Sequence, residues 1–524
     1  MHCQCVRQSE LPSTSRLFAD VLYHPDRTSA LYDHPLRDLE SFRAAASGID
    51  LPADRRALLI EALRVENAGS ASLEKLAQPG TVAVVTGQQV GLFSGPCYTI
   101  YKVLHAVRLA AWLSESGIPA VPVFWLATED HDFAEVNHAW VFDTAHRPHR
   151  LEMRRTAAEQ PVGGVTLQNP PIEDLRAALE GLPFAAEVMA EVEAAYTGGS
   201  TMGQAFQSLL RRLLKNFDIL YLDPMLPVFR ELAAPALRTA VEMAPDLSQA
   251  VLERNRELLA AGYHAQVHLE ETTSLVFLLE NGKRLGLRRH GTDYVHNSRR
   301  FTTADLACRA ASLSPNALLR PVIQDSMLPT VAYIGGPAEV AYLAQSAVIY
   351  RALLGRMPVA VPRTGFTVLD SRSDKLMDRY RLNLTDFFHG ETVLRERLAA
   401  RLIPASLAGS AQTAQASIDA SVARLHAELA SFDPTLAKAL EGSAKKIRYQ
   451  MEKIARKAGR EALRRDARAA ADASSLYGLV FPERTLQERL YSMLPFLAKH
   501  GPDLLDTIYG AIDLECPDHR LMTV

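Results

Sequence analysis

The stretch that decides the fold is TVAVVTGQQVGLFSGP, residues 81–96. Its β-branched start predicts a buried strand that ends at Gly87, and the glycine-bearing loop after it leads to Pro96, which suits the first turn of a helix. Apolar residues then recur in steps of three and four until Ser116, as expected for a helix, and VPVFWLA (121–127) is a second apolar strand. The order strand, loop, helix and strand predicts a βαβ unit.

A βαβ unit implies a parallel sheet with a right-handed crossover, and ligands of such sheets bind beyond the carboxyl ends of the strands. Two polar segments follow the two predicted strands, Thr86-Gly87-Gln88-Gln89 and Glu129-Asp130-His131-Asp132. We therefore expect an α/β fold in which both segments lie at the same edge of the sheet.

Later segments predict further strands and a second unit of the same kind. FDILYLDP (217–224) is a strand, and TSLVFLLENGKRLGLRR (273–289) is a hairpin whose Asn281-Gly282 suits a type I′ turn. TVAYIGGPAEVAYLAQ (330–345) gives a strand, Gly335-Gly336, a helix-opening proline and a helix, and MPVAVPR (357–363) gives the next strand.

Helix formers dominate after about residue 390, where we expect no further strand. Two stretches around SFDP (431–434) carry apolar residues in steps of three and four, which indicate an antiparallel coiled coil whose exposed seam invites a second copy. The seam residues are Ile418, Val422, Leu425 and Leu429 in the first stretch, and Leu436, Leu440, Ile447, Met451, Ile454 and Ala458 in the second.

The loop from Thr86 to Gly95 is the first candidate site. Backbone N–H groups before a helix N-terminus bind carboxylate or phosphate, and Gln88 and Gln89 add two amides. The alternative is a tight strand-to-helix turn. Lys102 falls opposite the apolar stripe of the helix, where it either reaches an anion above the loop or is solvated.

The acidic cluster is the second candidate. It consists of Glu129, Asp130, His131, Asp132 and Glu135, which follow an apolar strand that could not bury their charges. Carboxylates beside an imidazole suit acid–base catalysis or the orientation of a ribose or ammonium group. One alternative is an acidic helix N-cap. Another is a metal site with His138, which we rank lower because no zinc-ligand spacing is present.

Three other features have both a functional and a structural interpretation. Cys97 stands at a helix start, where the helix dipole lowers the pKa of a thiol, but we prefer the interpretation that it is a small residue packed in the core. Charges from Arg363 to Lys375 either complete the site or form surface ion pairs. Residues 443–468 carry ten basic and three acidic side chains, which fits a nucleotide- or RNA-binding face or an ordinary coiled-coil surface.

Composition narrows the class of protein. The chain has 524 residues, 48% hydrophobic and 22% charged, with a formal charge of -3, which argues against disorder and against a whole-protein nucleic-acid or membrane coat. Five cysteines do not form a disulfide framework, no apolar stretch reaches membrane-spanning length, and MHCQCVRQSE does not resemble a signal peptide. We expect a cytoplasmic protein.

Four segments together carry a family resemblance. The chain resembles the cysteine-adding enzymes of bacillithiol biosynthesis, the cysteine ligase family, in order along nearly its whole length. The segments are VVTGQQVGLFSGPCYTIYK (84–102), PVFWLATEDHDFAEVNH (122–138), DSMLPTVAYIGGPAEVAYLAQ (325–345) and FPERTLQERLYSMLPFL (481–497).

The resemblance implies a Rossmann-like core similar to nucleotidyltransferases and class I synthetases. It divides the chain into a core with inserted connecting segments (1–390, including the hairpin near 274–290), a coiled-coil domain that forms a homodimer (391–475) and a helical segment returning to the core (476–524). The implied reaction joins cysteine to the amine of glucosaminyl malate in the last step of bacillithiol synthesis, with consumption of ATP. Mg²⁺ would accompany the ATP, and no protein-held metal is expected.

On this basis the predicted catalytic residues are Glu129, Asp130, His131 and Asp132. The predicted substrate- or nucleotide-binding residues are Thr86, Gly87, Gln88, Gln89, Ser94, Gly95, Tyr98, Lys102, Gly335, Gly336 and Arg363.

The chain departs from the synthetases in two signatures. Phe93-Ser94-Gly95-Pro96 stands in place of His-x-Gly-His, and Ser371-Arg372-Ser373-Asp374-Lys375 is the nearest stretch to the Lys-Met-Ser-Lys-Ser loop. A non-catalytic, nucleotide-binding dimer of the same pathway is therefore the alternative function. An RNA-binding relative is a third hypothesis, although the basic helix lacks the interleaved aromatic residues of single-strand binders.

Overall fold

The computed structural model describes residues 2–35, 38–154 and 159–524. The strands of these residues are β1 (His2–Val6), β2 (Val82–Gln89), β3 (Ala120–Ala127), β4 (His138–Phe142), β5 (Pro148–Glu152), β6 (Leu220–Leu222), β7 (Thr273–Glu280), β8 (Lys283–His290), β9 (Asp293–His296), β10 (Arg299–Phe301), β11 (Leu313–Pro315), β12 (Thr330–Gly335), β13 (Val359–Pro362), β14 (Phe366–Leu369) and β15 (His519–Thr523).

The α-helices complete the element order. They are α1 (Arg16–Tyr23), α2 (Leu39–Ser47), α3 (Ala53–Asn67), α4 (Ala71–Ala77), α5 (Cys97–Glu115), α6 (Phe133–Val136), α7 (Ile172–Leu179), α8 (Ala185–Ala195), α9 (Met202–Leu213), α10 (Pro227–Glu242), α11 (Ala244–Ala260), α12 (Thr303–Cys308), α13 (Arg320–Met327), α14 (Pro337–Leu353), α15 (Ser371–Arg379), α16 (Leu384–Phe387), α17 (Glu391–Arg401), α18 (Ala405–Phe432), α19 (Pro434–Arg465), α20 (Ala467–Val480), α21 (Gln487–Leu490), α22 (Leu494–His500) and α23 (Leu504–Ala511). Within the described residues, no helix combines the length and the apolar character needed to cross a membrane.

A parallel five-stranded sheet in the order β13-β12-β2-β3-β6 forms the centre of the molecule. β2 and β3 pair in register from Val82 opposite Ala120 to Gln89 opposite Ala127. Both strands are almost wholly buried, which explains their continuous apolar sequence. The predicted α/β class and the βαβ unit of β2, α5 and β3 are confirmed.

The strand order reverses direction between β2 and β12. From β2 the chain crosses by α5 to β3 on one side, whereas β12 pairs with β2 on the other side and leads through α14 to β13. The two predicted glycine segments, one after β2 and one after β12, thus lie side by side. Such a switch point leaves a crevice at the carboxyl ends of the strands.

An antiparallel sheet in the order β10-β9-β8-β7-β11 stands next to this edge. Its β7–β8 hairpin is the predicted one, and its turn residues Asn281 and Gly282 both have positive φ, 52° and 72°, as a type I′ turn requires.

A third sheet, β1-β15-β14, joins the two ends of the chain. β15 pairs antiparallel with β1 and parallel with β14. The expectation of no strand after residue 390 is therefore wrong for residues 519–523, and the lead-in before the first helix contains β1. Neither strand is a long alternating segment, so both depend on pairing with strands that are distant in the sequence.

The helical excursion is an antiparallel hairpin of α18 and α19, as the SFDP turn predicts. Asp433 caps α19 by accepting a hydrogen bond from Thr435 N–H. α18 has no fully buried residue, and apolar side chains stay exposed on both helices: Leu407, Leu425, Phe432, Leu436, Ile447 and Ile454.

Candidate functional site

A cavity of about 690 Å³ opens at the carboxyl ends of the central strands. Its walls come from the ends of β2 and β3, the start of α14 and the β7–β8 hairpin. Ten of the predicted site residues line it: Gly87, Gln88, Gln89, Tyr98, Glu129, Asp130, His131, Asp132, Gly336 and Arg363. The fold thus brings the two polar segments of the βαβ unit to one cavity.

The closest link between the two segments joins Gln89 to Asp130. Gln89 Nε2 donates to Asp130 Oδ2 at 2.6 Å and to Glu135 Oε2 at 3.0 Å. Burial of Asp130 raises the pKa of its carboxyl group, but hydrogen bonds from Gln89 and the charge of Arg284 outweigh this and lower the pKa below its usual value. Asp130 is therefore ionised and faces the cavity with Glu135.

His131 is held by Arg284 of the β7–β8 hairpin. Arg284 Nη1 lies 3.1 Å from His131 Nδ1 and 3.6 Å from Asp130 Oδ1. Because a guanidinium only donates, Nδ1 accepts, and the ring proton of neutral His131 is on Nε2. Burial and the Arg284 charge lower the pKa of His131, despite the opposing charge of Asp130, so the ring is neutral near pH 7.

Glu129 and Asp132 have structural partners. Glu129 is buried and accepts from Ser314 Oγ at 2.8 Å and from Arg230 Nη1 at 3.4 Å. The expectation that no charge of the cluster could be buried is therefore wrong for Glu129, because Arg230 compensates it. Asp132 caps α6 by accepting a hydrogen bond from Glu135 N–H. For this residue the structure contains the helix N-cap that the sequence offered as an alternative to a catalytic role.

Lys102 does not face solvent, which excludes one of the two alternatives that the sequence left open for it. Its side chain is 0% exposed and forms an ion pair with Glu339 at 2.7 Å, while Nζ also donates to the carbonyl oxygen of Gly87 and lies 3.3 Å from Gln88 Oε1. Lys102 thus joins α5 to the ends of β2 and α14. Burial lowers the pKa of Lys102, opposed by Glu339, and the reciprocal charge of Lys102 lowers the pKa of Glu339 against its burial.

The start of α5 is covered by the C-terminal segment. Cys97 N–H donates to the carbonyl oxygen of Tyr491 at 2.7 Å, and Ser94 Oγ lies 2.8 Å from Ser492 Oγ. Gly95, with φ of 62°, lines a small neighbouring cavity of about 180 Å³. Tertiary contacts thus occupy Cys97 N–H and the Ser94 hydroxyl group, two of the donors at this helix start.

Thr86 and Gly335 hold strands together. Thr86 is buried, and its hydroxyl donates to the carbonyl oxygen of Ile334 at 2.9 Å, which ties β2 to β12. Gly335 ends β12 outside the cavity lining, and Gly336 caps α14 with its N–H bonded to Glu339 Oε2 at 2.8 Å.

Arg363 and Tyr98 lie against each other in the cavity wall, with the guanidinium carbon 5.3 Å from the ring centre. Both Arg363 and Glu488 are buried and paired, with Arg363 Nη1 2.9 Å from Glu488 Oε2. Arg363 therefore completes the wall while its charge is already compensated. Cys97 is buried too, and burial raises the pKa of its thiol, so it is the packed residue preferred from the sequence.

Sequence reasoning missed three cationic residues of the cavity: Arg284, Arg320 and Arg489. Arg320 donates to the hydroxyl groups of Tyr333 and Tyr342 at 3.1 and 3.0 Å. Arg489 is exposed at the cavity edge. Across the described ranges, neither Arg320 nor Arg489 forms an ion pair with a carboxylate. Each comes from a different segment, and only Arg489 lies within a family-resembling segment, so nothing local in the sequence marked them.

No group of three or more His, Cys, Asp or Glu side chains in the described part of the chain is arranged to hold a metal ion. His138, the possible metal ligand, instead contacts the side-chain oxygen of Asn137 through Nδ1 at 3.2 Å.

The cavity lining carries both acidic and basic side chains. Asp130 and Glu135 offer acceptors for an ammonium group, while Arg320 and Arg489 offer donors for a carboxylate or phosphate. A ligand that carries both an amine and acidic groups matches this distribution of charge.

Comparison with known families gives two adjoining matches. The N-terminal Rossmann-like domain of bacillithiol biosynthesis BshC matches residues 1–364, and the C-terminal coiled-coil domain of BshC matches residues 366–524. This division lies near residue 365, whereas the sequence predicted boundaries after residues 390 and 475.

Curated relatives match over almost their full length. The chain is 70% identical over 524 residues to a protein of Solibacter usitatus, covering 100% of each chain. It is 36% identical to one of Koribacter versatilis, covering 99% of each, and 31% identical to one of Salinibacter ruber, covering 97% and 96%. All three relatives carry the name "Putative cysteine ligase BshC".

Proposed function

Because the chain belongs to the BshC family of bacillithiol biosynthesis, we propose that it is a cysteine ligase. In this proposal it joins the carboxyl group of L-cysteine to the amine of glucosaminyl malate, as the last step of bacillithiol synthesis in the cytoplasm. A free carboxylate does not form an amide without activation, so ATP is the co-substrate, with Mg²⁺ on its phosphates.

The observation that carries the proposal is that carboxylates line the same cavity as arginines that are unpaired within the described residues. The ionised Asp130 and the neighbouring Glu135 can hold the amine of glucosaminyl malate, with Gln89 fixing both carboxylates. This orientation would place the amine for attack on an activated cysteine carboxyl group.

Two arginines of the lining support binding of the acidic part of the same ligand. Arg320 and Arg489 have no carboxylate partner among the described residues, so their charges are available to the malate carboxylates of glucosaminyl malate. Cysteine or the nucleotide would then bind against the part of the lining that contains Gln88, Gly336 and Tyr98.

His131 is proposed as a positioning and proton-donating residue. Its Nδ1 is engaged by Arg284, so Nε2–H is the group it offers to an oxygen that gains negative charge. Base catalysis by the ring would first require Arg284 to leave Nδ1.

We also propose that the hairpin of α18 and α19 forms a homodimer. Phe432 is 82% exposed and Ile454 is 63% exposed, and such apolar side chains on a long two-helix hairpin are normally covered by a partner. A second copy fits because the seam continues over both helices.

The test is product formation by the purified chain. Supplied with cysteine, glucosaminyl malate, ATP and Mg²⁺, the wild-type protein should yield bacillithiol by mass spectrometry with matching nucleotide turnover. Asp130→Asn should lower kcat/KM at least about 100-fold, because it removes the charge that holds the amine. The exposed Asp246→Asn is the matched control and should behave as wild type.

One result would contradict the proposed activity, and another would contradict only the proposed site. Product that appears only after cell extract is added, with nucleotide binding to the pure chain, would favour the non-catalytic dimer. Full activity of Asp130→Asn would leave the enzyme proposal intact but place the site elsewhere.

A further inference from the structure

The pairing of β1 with β15 brings cysteines from opposite ends of the sequence together. Cys5 Sγ lies 3.7 Å from Cys516 Sγ, although 511 positions separate the two residues in the chain. Cys5 is exposed and Cys516 is partly exposed, and both are free thiols. This cluster lies outside the cavity described above.

A disulfide between these two residues needs only a small movement. An S–S bond is about 2.05 Å long, so the sulfur atoms must approach by roughly 1.7 Å. β1 is an edge strand, paired only with β15, and Cys516 lies in the connection between α23 and β15. Neither cysteine is fixed by packing on every side.

Arg520 adds a positive charge to the cluster. Its backbone pairs directly with Cys5 across the strands, and its Nη1 lies 3.8 Å from Cys3 Sγ. Burial, and after it the contact with Cys516, raises the pKa of Cys5 to about 11, while Arg520 lowers it. Once Cys516 is in a mixed disulfide, the contact with a Cys516 thiol no longer raises the pKa of Cys5.

We propose that Cys516 and Cys5 are a modification site, oxidised reversibly to an intramolecular disulfide by exchange with a low-molecular-weight disulfide. The Cys516 thiolate attacks one sulfur of the small disulfide, which releases one small thiolate and leaves a mixed disulfide. The Cys5 thiolate then attacks Cys516 Sγ and releases the second small thiolate. Two electrons pass from the protein dithiol to the small disulfide, and the two protons of the thiols end on the released thiols.

The other cysteines provide controls within the chain. Cys308 is exposed without a neighbouring thiol and Cys97 is buried. Exchange at Cys308 therefore stops at a mixed disulfide, and Cys97 does not react.

The experiment incubates the intact, reduced protein with cystine in the absence of oxygen, followed by alkylation and peptide mass spectrometry. Wild type should yield a peptide pair linked through Cys5 and Cys516, faster migration in a non-reducing gel, and recovery of both thiols with dithiothreitol. Cys5→Ser should instead accumulate a cysteine adduct on Cys516. Cys308→Ser should form the link as wild type does.

The proposal is overturned if wild type keeps stable cysteine adducts on Cys5 and Cys516 without a link, or if Cys5 links to Cys3 instead. It is also overturned if Cys308 reacts while the pair does not. These readouts need no ligase activity, so they stand or fall separately from the proposed function.

Discussion

Replacement of the Lys102–Glu339 pair, in which Lys102 is buried and Glu339 is 21% exposed, tests why Lys102 lies where it does. In Lys102→Met, the Glu339 carboxylate loses its ion pair and keeps the hydrogen bonds from Tyr333 OH at 2.7 Å and Gly336 N–H at 2.8 Å. Glu339→Gln leaves a fully buried ammonium facing the Gly87 carbonyl oxygen. Removal of one partner of a buried pair costs about 3–5 kcal/mol of unfolding free energy.

The double variant removes both charges, so it should cost less than the sum of the two single changes by about 2–3 kcal/mol. Urea unfolding of all four proteins at pH 7.5, followed by circular dichroism, measures this coupling energy. The exposed pair Lys283 and Glu159, with 54% and 51% of their side chains exposed, is the matched control and should couple by less than about 1 kcal/mol.

The ion pair would be refuted as a source of stability if the losses of unfolding free energy in the two single variants sum to that of the double variant within about 0.5 kcal/mol. Lys102 would then be no structural partner of Glu339, and the interpretation of Lys102 as a substrate- or nucleotide-binding residue would be favoured.

Three further predictions concern the cavity, the third sheet and the coiled coil. Arg489→Met should raise KM for glucosaminyl malate about 10- to 100-fold with little change in kcat, whereas Arg484→Met, outside this cavity, should not. His519 is buried, and burial lowers its pKa from 6.5 to about 4. Between these pH values the imidazole binds a proton in the unfolded chain but not in the folded one, so the free energy of unfolding decreases as the pH falls from 6.5 to 4. Between pH 7.5 and 4, wild type should lose about 3 kcal/mol more than His519→Gln in urea unfolding; an equal loss would contradict this. Ile454→Asp should shift a dimer to monomers in sedimentation velocity, whereas Val65→Asp, also exposed and apolar, should not.

Local sequence patterns were sufficient for the centre of the fold. The apolar runs of β2 and β3 and the helix between them predicted the βαβ unit, and parallel pairing placed the polar segments 86–89 and 129–132 at the same edge of the sheet. The hairpin followed from Asn281-Gly282, because a type I′ turn needs two residues that tolerate positive φ.

What could not be predicted depends on long-range contacts. Helical periodicity placed Lys102 opposite the apolar stripe, but it does not show that α14 brings Glu339 to that face. β1 becomes a strand by pairing with β15, which pairs with β14 on its other side, and the β1–β15 pairing also brings Cys516 to Cys5. Arg284, Arg320 and Arg489 meet in the cavity from three separate segments.

The central claim is that glucosaminyl malate binds in the cavity between Asp130 and the arginines Arg320 and Arg489. A crystal structure of the protein soaked with glucosaminyl malate tests it most directly. We predict the amine within hydrogen-bonding distance of Asp130 and the malate carboxylates on Arg320 and Arg489. Ligand bound instead in the cavity lined by His146, Arg372 and Arg484, with the first cavity empty, would contradict the account.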